Sequence, residues 1–289
     1  MILVKKDVYG LGSNFLRLLD WLWYAKYSGD EVYIDWTENG KDLLSDIFIY
    51  KNPDKLIDGK TYNHYVGKFN GLNQNAINNR KRDIYYYDKY KMPNIGVQAG
   101  YFYTTPDVYY EKDFALFRNV FHDIYSTKFS PTQKFNNDLL NKTTTVLGVH
   151  LRQRSHYCLN HHNGAVAFND IPLFWANCAK AVYDMFCKSG CEKIYVACDV
   201  EDFFICLEKY IKKDLVLKLD YNRLKGDMDW SEGQRDISNI VHNSFLDIFN
   251  LSRCDKLICG VSNFSLISLV VNTNLSFELI TNLKSMHGA

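Results

Sequence analysis

Apolar and polar positions along this chain change their period several times, and those changes mark its elements. A short apolar run at Ile2 to Val4 leads into Tyr9-Gly10-Leu11-Gly12-Ser13-Asn14, followed by apolar residues at Phe15, Leu18, Leu19, Leu22 and Trp23. That spacing predicts a helix, which Gly29 stops. Val32, Ile34 and Trp36 then alternate with polar neighbours, as in a half-buried strand. The opening thus reads strand, glycine-bearing turn, helix, strand. From Lys41 to about Ser130 the period is irregular, broken by Asn and Lys runs and by aromatic clusters at Tyr85, Tyr86, Tyr87 and Tyr90 and at Tyr101, Phe102 and Tyr103. Pro131 to Thr145 is polar and reads as a linker.

From Val146 onward strands and helices alternate. The pattern predicts strands at Val146 to His150, Ile194 to Cys198, Leu215 to Leu217, Lys256 to Gly260 and Phe277 to Ile280. It predicts helices at Phe174 to Lys188, Glu201 to Lys212, Asn243 to Cys254 and Phe264 to Asn272. Such alternation makes a parallel sheet covered by helices, and the continuous apolar runs suit strands buried on both faces. The expected fold is α/β in two lobes, 1–140 and 141–289, with a cleft between them.

The chain has 289 residues, 47% of them hydrophobic, enough for a core and too many for a disordered segment. Lysine and arginine number 34 against 33 aspartates and glutamates, so no reservoir of positive charge is available to coat a nucleic acid. Nucleic acid is therefore not an expected partner. No run approaches the roughly 20 apolar residues that span a bilayer, and the first residues lack a signal peptide's apolar stretch, so a cytoplasmic location without a membrane span is expected. All eight cysteines fall between Cys158 and Cys259, where reduced thiols serve as small apolar packing residues. The glycosylation sequons at Asn141, Asn250, Asn263 and Asn274 are then expected to stay unmodified. Cys158 with His161 and His162, or Cys187 with Cys191, match no paired metal-binding spacing, and no metal is expected.

In an open parallel sheet the ligand sits outside the carboxyl ends of the strands. Three polar sequences occupy that edge here: His150-Leu151-Arg152-Gln153-Arg154, Asp199, and Ser262, Asn263 and Ser265. An arginine can grip a diphosphate, and a serine at a helix start adds its hydroxyl to the local N–H groups. Taken singly, the arginines also fit a solvated strand end, and Asp199 and Ser262 also fit helix caps. Together they describe a nucleotide diphosphate site. Gly10 and Gly12 lack the third glycine of the dinucleotide fingerprint, yet they allow a backbone to approach a ligand closely, with Asn14 beside it.

The segment Gly10-Leu-Gly-Ser-Asn-Phe-Leu-Arg and the strand ending Asp35-Trp36 resemble the opening of the superfamily of α-1,2, α-1,6 and protein O-fucosyltransferases. Leu147-Gly-Val-His-Leu-Arg152 resembles its His-x-Arg motif and Ile194-Tyr-Val-Ala-Cys-Asp199 its strand ending in aspartate. Asp247 to Ser265 resembles its last motif. The resemblance implies the GT-B arrangement of two Rossmann-like lobes, inversion at the anomeric carbon, and GDP-fucose as donor with no essential metal or other cofactor. It also implies that Arg152 holds the β-phosphate, with His150 supporting that region. Asp199 would contact the base or ribose and Ser262 the phosphate, while Asn14 and the glycine turn face the sugar and the acceptor. The first lobe would then be the acceptor side and the second the donor side.

Gln153 stands where that superfamily often has a second arginine, with Arg154 one place later, and Ser155 and His156 replace its acidic residue. Another nucleotide sugar, or a binding module without catalysis, are the alternative readings. An acceptor hydroxyl needs a general base, and Asp35 and His156 are the candidates. Asp227-Met228-Asp229 has the spacing of a metal motif but lies in a polar loop from Tyr221 to Ser238 with no strand before it; that loop is long enough to serve as a lid. The tyrosine clusters fit core packing, with one or two available to stack on an acceptor glycan.

Overall fold

The computed structural model describes residues 2–5, 11–28, 32–38, 41–51, 97–98, 101–102, 114–151, 171–221, 237–260 and 262–280. Gly10, Arg152, Arg154, His156, Cys158, His161, His162, Asp227, Asp229, the tyrosines at 85–90 and Tyr103 lie outside them. The chain divides into two compact units, residues 1–139 with 269–273 and residues 140–268 with 274–289.

In the first unit, β1 (Ile2–Lys5) pairs in parallel with β2 (Val32–Asp35), with α1 (Leu11–Ser28) between them in sequence. The helix begins at Leu11, four residues earlier than its apolar spacing predicts, so Gly12 and Asn14 belong to its first turn. Short strands follow: β3 (Thr37–Glu38) with β4 (Lys41–Asp42), β5 (Phe48–Tyr50) with β8 (Phe129–Pro131), and β6 (Val97–Gln98) with β7 (Tyr101–Phe102). Within the stretch expected to be irregular lies α2 (Phe114–Lys128), which buries Phe114, Phe117, Phe121, Ile124 and Tyr125. The core here is aromatic. Phe48 stacks on Phe15 with centroids 5.6 Å apart, and Phe129 meets both Phe48 and Tyr50 at 5.4 and 5.3 Å.

One cation belongs to that core. Arg118 on α2 is buried, with Nε donating to the Leu269 carbonyl at 3.0 Å and Nη2 to the Asn272 carbonyl at 2.9 Å. His122, one turn on, holds the Val270 carbonyl at 2.9 Å through Nδ1. These carbonyls close the end of a distant helix, where cations are favoured and where carbonyls otherwise lack partners. Burial lowers the guanidinium's pKa to about 10, so it stays charged at neutral pH.

The expected linker is also structured. Thr132 caps α3 (Gln133–Asp138) by accepting from the Phe135 N–H at 3.1 Å, and Phe135 is fully buried. Phe135 and the buried Leu139 anchor this otherwise polar stretch.

In the second unit β9 (Val146–Leu151), α4 (Ile171–Ser189), β10 (Lys193–Cys198), α5 (Glu201–Leu207), β11 (Val216–Leu217), α6 (Ile237–Ser252), β12 (Lys256–Cys259), α7 (Asn263–Val271) and β13 (Ser276–Leu279) follow in order. Their sheet runs β11-β10-β9-β12-β13 and every pairing is parallel. Two predicted helices shift: α6 starts six residues early, and α5 ends at Leu207, giving way to turns and a 3-10 helix at Lys213–Leu215.

Alternation along β9 sorts its neighbours. Leu147, Val149 and Leu151 enter a core with Trp175, Cys178 and Val182 of α4 and Phe203 of α5. Gly148 and His150 take the other face. A Cβ on Gly148 would lie 3.0 Å from the Cys254 Sγ and 3.2 Å from Leu251 Cδ2, so glycine permits the close approach of the chain that follows α6. On this face Asp247 of α6 is buried and accepts from two phenols, Tyr195 of β10 and Tyr221, the latter at 2.8 Å. Asn250 Nδ2 donates to the Tyr195 hydroxyl at 3.3 Å, while its Oδ1 takes the Leu140 N–H at 3.1 Å. Burial and the adjacent Asp247 hold the Tyr195 phenol protonated, well above its usual range.

Candidate functional site

The strand order reverses between β9 and β12. Connections after β9 and β10 build outward on one side, and those after β12 on the other, so the switch point of the sheet, where ligands of such folds bind, lies at the carboxyl ends of these two central strands. His150 pairs with Cys259 across the two strands, and Gly260 continues the ladder by donating its N–H to the His150 carbonyl at 3.1 Å. Ser262 then starts α7. Its hydroxyl accepts from the Phe264 N–H at 3.2 Å and its carbonyl from the Leu266 N–H at 3.0 Å, which makes it the helix cap. Asn263 is the first residue of the helix.

The His150 ring is buried, with Nδ1 2.6 Å from the Ser265 hydroxyl. It lies flat on Phe264, with centroids 4.6 Å apart and planes 16° from parallel. Ser265 is fully buried, and its hydroxyl also reaches the Gly260 carbonyl at 3.3 Å. His150, Ser262, Asn263 and Ser265 are thus brought to one edge, where a helix N-terminus offers partial positive charge beside an imidazole. That combination suits an anionic ligand.

Asp199 follows β10 at the same sheet edge, since Cys198 is in register with Leu151 at the end of β9. The cap position before α5 belongs to Val200, which makes no side-chain cap bond. Two contributors escaped the sequence reading. Phe264 gives no spacing signal beyond its place after the cap, and Cys259 reads only as a core residue. Burial pushes the Cys259 thiol up to about 12, against an opposing hydrogen bond with Ser265.

This thiol has a measurable consequence. In the unfolded chain it ionises near its ordinary value of 9.0, while the fold keeps it protonated, so its stabilisation is complete below that value and is lost as pH rises toward about 12. Raising the pH from about 9 to about 10 should remove roughly 1 kcal/mol of stability through this group. Urea unfolding at both pH values, with Cys259→Ala as comparison, should show a flatter pH dependence in the variant. Parallel slopes would count against the assignment.

The other predicted residues that the structure describes belong to the first unit. Asn14 is 1% exposed, and its Oδ1 accepts from Arg17 Nη2 at 2.9 Å. Gly12 is buried in the first turn of α1. Asp35 closes a turn after β2 by accepting from the Thr37 N–H at 3.2 Å and from its hydroxyl. Among the described residues no group of three His, Cys, Asp or Glu side chains could hold a metal ion, and no helix is long and apolar enough to cross a membrane.

A parallel sheet of this order, with its helices, gives the second unit a Rossmann-like fold, and the chain shares the fold of the GT-B fucosyltransferases. It is similar to fucosyltransferase NodZ from Bradyrhizobium, with 11% identity over 94% of this chain and 91% of that chain and a TM-score of 0.53. The NodZ alpha-1,6-fucosyltransferase soaked with GDP-fucose gives 11% identity, coverage of 94% and 92%, and a TM-score of 0.51. POFUT1 in complex with GDP-fucose gives 9% identity, coverage of 96% of both chains, and a TM-score of 0.50. No family model matches the chain, and no curated protein matches its sequence.

Proposed function

We propose that this protein is an inverting glycosyltransferase that moves L-fucose from GDP-fucose to a hydroxyl of a glycan acceptor. The observation that carries this reading is the meeting of His150, Ser262, Asn263 and Ser265 at the switch point of a fold shared with NodZ and POFUT1, both solved with GDP-fucose.

In this reading the second unit holds the donor and the first the acceptor. The bond from the sugar's anomeric carbon to the diphosphate breaks, and negative charge grows on the leaving oxygens. Arg152 and the start of α7 stabilise that charge, while Asp199 contacts the base or ribose. The acceptor oxygen attacks the opposite face, and its proton passes to Asp35 or His156. No step uses a metal.

Gln153, in place of a second arginine, favours one other reading, a module that binds a nucleotide sugar without transferring it. A thermal-shift panel of GDP, UDP, GDP-fucose and UDP-sugars, with and without EDTA, separates them. GDP and GDP-fucose should raise the melting temperature, equally with EDTA, and GDP should appear when donor and acceptor are mixed. Stabilisation by UDP alone would sink the GDP assignment; binding with neither hydrolysis nor transfer would favour the module.

A further inference from the structure

We infer that Ser265 is a positioning residue that decides which nitrogen of His150 carries the ring proton, holding the imidazole in its Nδ1–H form with Nε2 as the acceptor. The Ser265 hydroxyl has one proton, and its polar neighbours are His150 Nδ1 at 2.6 Å, the Gly260 carbonyl at 3.3 Å and the buried Cys259 thiol, which stays protonated and can donate to the Ser265 oxygen without needing its proton. A carbonyl only accepts, whereas a neutral imidazole nitrogen can do either. The His150 and Gly260 contacts are satisfied together only when Ser265 donates to Gly260 and Nδ1 donates to Ser265. The reverse arrangement withdraws the Ser265 donor from the Gly260 carbonyl in a buried setting.

The surroundings hold this chain of bonds in place. Phe264 lies along the face of the ring and resists the flip that would exchange its two nitrogens. Gly260 is tied to His150 through its own N–H, which joins the strand end that leads to the cap to the residue that carries the ring. A histidine's second nitrogen commonly fixes what its first can do, and here the partner is a hydroxyl on the third residue of α7. Ser265 therefore sets whether His150 meets a ligand group as acceptor or donor, without touching the ligand itself. Its effect on nucleotide binding rests on the proposed GDP site; its effect on the ring does not.

The test is a long-range proton–nitrogen NMR spectrum of the histidine side chains in the whole protein, with His150 assigned by its loss in His150→Gln. The wild type should show the Nδ1–H form, and Ser265→Ala should convert the ring to the Nε2–H form or to a mixture. Urea curves on the same samples establish that the variant is folded; Ser265→Thr, which keeps the hydroxyl, should retain the wild-type pattern, and Ser265→Cys, of similar shape with only weak hydrogen-bonding capacity, replaces the alanine variant as the probe should that one unfold. A wild-type ring protonated at Nε2, or a ring unchanged in Ser265→Ala, overturns the inference. Calorimetry with GDP adds a second reading. Ser265→Ala should weaken binding about threefold to thirtyfold, from about one redirected hydrogen bond, and should add little in a His150→Ala background. Additive losses also overturn the inference. Failure of the wild type to bind GDP overturns the proposed function, and the NMR result still decides the role of Ser265.

Discussion

Asp247→Ala should destabilise the protein by about 2–4 kcal/mol, because it leaves the buried Tyr195 hydroxyl and the Tyr221 hydroxyl without their acceptor and opens a cavity beside β10. Asp247→Asn keeps one carbonyl oxygen and should lose less, on the order of 1 kcal/mol. Urea unfolding of both variants measures this. Tyr195→Phe removes one of the orphaned donors in advance, so the double variant Tyr195→Phe with Asp247→Ala should lose less than the sum of the single losses. Additive losses, or a cost below about 0.5 kcal/mol for Asp247→Ala, a value typical of an ordinary surface position, would show that the cluster is not the tie described.

Arg152→Ala should lower turnover of GDP-fucose roughly tenfold to a hundredfold. A charge-assisted hydrogen bond to the leaving diphosphate is worth about 1.5–3 kcal/mol, and its contribution grows as charge develops on those oxygens. Arg152→Lys should recover only part of the rate, since an ammonium does not reproduce the forked contact. Initial rates at saturating donor, set beside GDP affinity from calorimetry, separate a loss in the chemical step from a loss in binding. Normal binding and normal turnover in Arg152→Ala would remove the whole donor-site assignment.

The second unit was legible because each of its strands is short, apolar and bounded by polar residues, as with Val146 to Leu151 between Thr145 and Arg152. The helices between them carry uninterrupted apolar faces, and α4 and α7 needed only a shift of one to three residues. The first unit concealed α2 although Phe114, Phe117, Phe121, Ile124 and Tyr125 follow helical spacing. Arg118 sits within that face, and phenylalanine, valine, isoleucine and tyrosine favour strands equally well. What makes an inward arginine tolerable is a set of carbonyls about 150 residues away, a partner that no local window contains. Phe135 was hidden in a similar way, since its polar neighbours gave no hint that it was fully buried.

The candidate site was legible as separate residues and not as a constellation. His150 and Ser265 each carry a recognisable polar signal at the sheet edge, yet their contact joins residues 115 apart in sequence. The sequence reading gave both the same role toward the donor. The structure buries Ser265 completely and points its hydroxyl at the ring and the Gly260 carbonyl. Ser262 caps α7, the plain reading of that serine, and it does so at the same sheet edge as His150.

The excursion of residues 269–273 into the first unit bears on how such a protein can be divided and inherited. A cut at 139/140 makes a fragment whose Arg118 lacks the Leu269 and Asn272 carbonyls, and a partner fragment that carries those carbonyls without the cation. Gene fusion or exchange at that boundary would therefore bring in half of a matched pair.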